Sequence, residues 1–135
     1  MKRRTGVLLL AAILAGCRYG TTVEEFPPAQ GPGGLILRIG TGERGLRGEL
    51  IEVRGNGLVL LVGGQIWLVD YPSIEDAEPE DYRGSFGLGS GRTPAAADRD
   101  ALSLLARFPQ GVSTAVLDRL FEVHAQTRFR TLDDF

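Results

Sequence analysis

The chain has 135 residues, a formal charge of −2 from 15 Lys and Arg against 17 Asp and Glu, and 19 glycines. That length sets one domain or two very small ones, and the mildly acidic balance lacks the electrostatic footprint of a nucleic-acid partner. One cysteine and one histidine exclude an intrachain disulfide framework and a thiolate zinc site, so no metal ligand, cofactor-binding residue or catalytic residue is assigned.

Lys2, Arg3 and Arg4 precede an apolar run from Val7 to Leu14. A positive start, a short apolar stretch and small residues before a cut site are the parts of an export signal. Residues 6–16 are too few to span a bilayer, which takes about 20. Leu14-Ala15-Gly16-Cys17 closes the segment. This tetrapeptide resembles the lipobox of bacterial lipoproteins. The resemblance implies cleavage between Gly16 and Cys17, a diacylglyceryl thioether on Cys17 and acylation of the new amino group. Two or more acyl chains hold a protein stably on a membrane, so the implied membrane partner is reached through Cys17 without a transmembrane helix. In that family an Asp after the Cys often retains the protein at the inner membrane. Arg18 stands there, which points to the outer membrane, facing the periplasm, in a host with two membranes. The implied mature chain has 119 residues, a net charge of −5 and no Lys.

Residues 17–34 read as the lipidated N-terminus and a tether, because Pro27, Pro28, Gly31, Pro32, Gly33 and Gly34 break regular structure. Residues 35–74 read as a four-stranded meander. Leu35, Leu37 and Ile39 alternate with Ile36 and Arg38. Residues 46–54 change phase, with Leu46 and Leu50 on one face and Ile51 and Val53 on the other, which predicts a bulge or bend at Gly48. Asn56-Gly57 predicts a type I′ hairpin, residues 58–62 form an apolar run, and Gly63-Gly64 forms a second tight turn. Residues 65–71 form the last strand, ended by Pro72. Such strands bury a face and their edges most economically as an SH3-like or Sm-like half-barrel.

Residues 75–93 read as an acidic and Gly-rich loop. Residues 94–126 read as a helical hairpin. Thr93 is the expected cap of the first helix, with Ala101, Leu104, Leu105 and Phe108 on its buried face. Pro109 and Gly111 stop it, and Ser113 caps a second helix carrying Val116, Leu117, Leu120, Phe121 and His124. The two helices are expected to pack on each other and on the sheet. Residues 127–135 read as an extended tail whose Phe129 and Leu132 dock. The expected class is therefore α+β, a small SH3-like or Sm-like β-meander followed by an α-helical hairpin.

Few residues invite chemistry. Residues 40–45 match G-x-G-x-x-G, but a dinucleotide loop must open a helix, and a strand pattern follows. The Gly87-Leu88-Gly89-Ser90-Gly91 run has no P-loop lysine. His124 has no second His or Cys to share a metal. No serine sits in a G-x-S-x-G elbow, although a triad assembled in space remains a third, less favoured reading. Glu75, Asp76, Glu78, Glu80 and Asp81 lack the EF-hand spacing. Trp67 and Tyr71 share one strand face; if uncovered, they form an aromatic patch. Two functions follow as expectations. The first is a small non-enzymatic, lipid-anchored envelope module that binds or scaffolds another envelope protein. The second is a cell-wall module binding glycan or peptide through Trp67 and Tyr71.

Overall fold

A computed structural model describes residues 33–135. Gly16 and Cys17, the signal and most of the tether lie outside the described residues. The described part is α+β: an open five-stranded antiparallel sheet with two helices. Strands β1 (Ile36–Gly40), β2 (Gly45–Val53), β3 (Gly57–Val62) and β4 (Gln65–Asp70) run as a meander. A 3-10 turn at Tyr71–Ser73 follows, and β5 (Asp76–Pro79) returns to the outer side of β1, giving the order β4-β3-β2-β1-β5. Helix α1 spans Ala96–Ser103, helix α2 spans Thr114–Val123, and a second 3-10 turn lies at Leu132–Asp134.

The alternation of side chains explains the two-faced sheet. Leu37, Ile39, Leu50, Leu58, Leu60 and Tyr71 are among those filling the main cluster, with Leu102 of α1. Ile51, Val59 and Ile66 form a smaller cluster on the other side, covered by Phe108, Leu120, Phe121 and Phe129 among others. The phase switch in β2 that sends Leu50 and Ile51 to different clusters is made by a register shift between Leu50 and Glu52, not at Gly48. Gly48 is glycine for another reason: a Cβ there would run into the Val62 side chain and the Leu61 backbone.

Three further expectations are corrected. Asn56 and Gly57 do not adopt left-handed backbone; within the meander the turn pair with two positive φ angles, 56° and 78°, is Gly63-Gly64, as a type I′ turn requires. The acidic loop contains strand β5, in which Ala77 packs on the core while Asp76 and Glu78 face solvent. An edge strand tolerates such charge because only one of its faces is covered. The helices do not form a mutually packed hairpin: α1 serves the main cluster, and α2 lies over the smaller one with no fully buried residue.

The α1 stripe also shifts. The helix ends at Ser103, and Leu102 and Ala106 are buried while Leu104 is 75% exposed. Residues 104–106 turn with tighter bonds, Leu105 N–H to Leu102 O and Ala106 N–H to Ser103 O, so helical spacing fails beyond the helix end. Ala95, not Thr93, occupies its N-cap position. Ser113 caps α2 as expected, its hydroxyl accepting from Val116 N–H at 3.3 Å.

Candidate functional site: a covered groove along β4

Strand β4 is one edge of the sheet. Its odd residues face β3 in the ladder, which turns the polar groups of Ile66 and Leu68 outward. An open edge of this kind is a template for another strand. Here the segment after α2 partly fills it. The Gln126 side chain accepts from Ile66 N–H at 2.6 Å and donates to Ile66 O at 3.1 Å. Arg130 N–H donates to Ile66 O, and Leu68 N–H donates to Arg130 O, both at 2.9 Å. Arg130 thus forms a one-residue parallel bridge with Trp67.

The segment then leaves the ladder. Thr131 and Asp134 close a capping box, with Thr131 N–H donating to Asp134 Oδ2 at 2.7 Å. Arg128 grips the same carboxylate through two nitrogens at 2.9 and 2.7 Å. Arg128, and after it the Thr131 N–H, holds the Asp134 carboxyl well below the usual carboxylate range. Arg130 bonds Gln65 Oε1 at 2.6 Å and stands 5.2 Å from the Trp67 ring centre. The Phe135 ring meets Trp67 at 4.8 Å between centroids, and the Arg44 guanidinium at 4.5 Å. Arg44 comes from the β1–β2 turn, where Thr41 N–H bonds Arg44 O at 2.8 Å. The G-x-G-x-x-G segment is thus a hairpin turn leading into a strand. Between Gln65 and the segment after α2 lies a recess of about 290 Å³, bordered by Gln126, Arg128 and Asp134 among others.

Trp67 and Tyr71 therefore present no exposed aromatic patch. Trp67 is 5% exposed and Tyr71 is 1% exposed. Tyr71 points into the main cluster, where its hydroxyl donates to Arg54 O at 2.7 Å and burial pushes its pKa up. Trp67 lies beneath Phe135 and Arg130. Its Nε1 is the one buried side-chain polar atom among the described residues without a hydrogen-bond partner.

The other candidates have structural partners. Glu80 is bound by Arg47 and Arg38, which together pull its carboxyl down to about 2. Glu52 is buried, pairs with Arg54 at 2.8 Å and accepts from Val112 N–H at 3.0 Å. Glu49 joins Arg107 to Gly34 N–H. His124 Nδ1 lies 2.8 Å from Gly64 O, tying α2 to the β3–β4 turn. Among the described residues, no group of three His, Cys, Asp or Glu side chains is arranged to hold a metal ion. None of the described helices is long and apolar enough to cross a membrane.

Sequence reasoning anticipated docking of the last segment but missed Gln126, Arg128, Arg130, Asp134, Phe135 and Arg44. A usable signal was present: Ile66-Trp67-Leu68 is apolar on both faces of a strand that topology leaves at an edge, so some later segment must shield it. No family model, curated protein or solved structure matches the chain.

Proposed function

We propose that this is a small, non-enzymatic, lipid-anchored protein of the bacterial cell envelope, whose α+β domain binds or scaffolds an envelope protein. The observation that carries the reading is Leu14-Ala15-Gly16-Cys17, the sole cysteine placed directly after a short apolar signal. Residues 17–34 are then the protein's lipidated N-terminus and tether. Arg18 favours the outer membrane, facing the periplasm, where two membranes exist. The strand order, the bulge in β2 and the 3-10 turn between β4 and β5 support an SH3-like half-barrel within this reading. Protein binding is preferred over glycan stacking because Trp67 and Tyr71 are covered, while β4 is an edge strand whose backbone already pairs with a peptide segment at Arg130.

The test is metabolic labelling with a tagged fatty acid in a bacterial host. Wild type takes up label and fractionates with membranes, and Cys17→Ala does neither. Label on the variant, or a wild type that stays unlabelled, removes the anchor from the account.

A further inference from the structure

We infer that the β4 edge is a peptide-docking groove, occupied in cis by residues 130–135 as a displaceable strap. Its exchangeable occupant is an extended segment of a partner protein that pairs parallel to β4 and sets an aromatic ring on Trp67. This names the partner chemistry for the binding-module reading above and rests on it.

Three observations carry the inference. First, the strap satisfies the edge only in part. Arg130 supplies one residue of strand pairing, and the Gln126 side-chain amide stands in for a second. By the alternation of the ladder, Leu68 C=O and Asp70 N–H lie on the same outward edge, beyond the last backbone bond from the strap at Leu68 N–H. A parallel strand continuing past the Arg130 position would reach both groups. The chain instead turns away at Thr131 into the 3-10 turn. Second, Trp67 Nε1 is buried and unpartnered. A buried N–H without an acceptor carries a desolvation cost, and a partner carbonyl beside the indole relieves it. Third, the strap reaches the core only through the partly buried Leu132, and its two ends are held at the surface. Phe135 is half exposed at 49% despite its contacts with Trp67 and Arg44. In the Arg128–Asp134 pair that shapes the turn, the Arg128 side chain is 67% exposed and the Asp134 side chain 19%. Water reaches the Arg128 end of this pair, so a competing segment can open it from that side. The backbone at the exit from α2 is also unrelaxed: Ala125 has φ 53°, a left-handed conformation that disfavours a side chain.

The own segment defines the chemistry that fits. The ladder accepts a parallel strand, and the ring site is bounded by an indole and a guanidinium, a setting that selects an aromatic side chain. Backbone pairing supplies the affinity and the ring supplies the selectivity, the division of labour of strand addition.

The experiment uses the purified full chain and a fluorescein-labelled peptide with the sequence of residues 127–135. A second peptide carries an N-methyl group on the Arg130 nitrogen. The proteins are wild type, Asp134→Asn, which loosens the turn, and Phe135→Ala, which removes only the half-exposed ring. Apparent affinity scales with the fraction of open grooves, so both variants should bind the unmodified peptide about three- to tenfold more tightly than wild type. N-methylation removes the donor to Ile66 O and should weaken binding about tenfold. Equal binding of the two peptides overturns strand pairing at β4. Absence of binding to both variants, each with a native circular dichroism spectrum, overturns the groove itself and makes the strap permanent closure. Either failure leaves the fatty-acid result at Cys17 untouched, so the groove and the anchor fail separately.

Discussion

Truncating Leu102 to alanine separates the observed packing of α1 from the packing that helical spacing predicts. Leu102 is fully buried in the main cluster and is the only buried side chain within α1, whereas Leu104 is 75% exposed. Removing a buried leucine costs roughly 2–5 kcal/mol, through lost transfer energy and the cavity left behind. A domain of this size has about 5–15 kcal/mol of total stability, so Leu102→Ala removes a large share. With a urea m-value of about 1–3 kcal/mol/M, a loss near 3 kcal/mol moves the midpoint down by roughly 1–3 M. Leu104→Ala should stay within about 0.5 kcal/mol of wild type. Both are read by urea titration with circular dichroism and Trp67 emission as coincident probes. If Leu104→Ala costs as much as Leu102→Ala, α1 packs by the 101/104/105/108 stripe and the orientation described above is wrong.

Tyr71→Phe should lower stability by about 1 kcal/mol, because Arg54 O loses the Tyr71 donor in a place where the ring is 1% exposed. An unchanged urea midpoint would mean that the carbonyl finds another donor. The Glu80 carboxyl, drawn from its ordinary 4.5 to about 2 by Arg47 and Arg38, gives a pH signature. A depressed acid pKa contributes stability above the unfolded-state value and loses it as pH falls through the folded-state value. The difference in urea midpoint between wild type and Glu80→Gln should therefore be constant from pH 7 to about 5 and shrink between about 4.5 and 2. A difference that persists unchanged at pH 2 would show that Glu80 is not held by the two arginines.

The meander was legible because period-two alternation and Gly63-Gly64 are local signals that burial reinforces: Leu37 and Ile39 point inward, and Arg38 does not. Strand β5 was not legible because its pattern is carried by Ala77 and Pro79 against acidic neighbours, with little apolar content to mark a strand. The bulge was visible as a phase change but not its position, since either Gly48 or Ile51 accounts for the same switch. In α1 the periodicity was extrapolated past the helix end, and a tighter turn there rotates Leu104 out to solvent. The candidate site was the least legible part. Trp67 and Tyr71 were recognised as a pair, yet Tyr71 is buried in the main cluster and the cover of Trp67 comes from Arg130 and Phe135, 63 and 68 positions away in sequence. Contacts at that separation leave no local pattern, and only the apolar edge strand signalled that a cover was required.

Trp67 is the only tryptophan, so its emission and its quenching by acrylamide in the full native chain report on the covered β4 groove alone. A shielded, poorly quenched indole is predicted for wild type. Quenching should rise in Phe135→Ala and Asp134→Asn while circular dichroism stays native. A wild-type indole quenched as readily as in the urea-unfolded chain would contradict the covered groove, and with it the strap that residues 130–135 form.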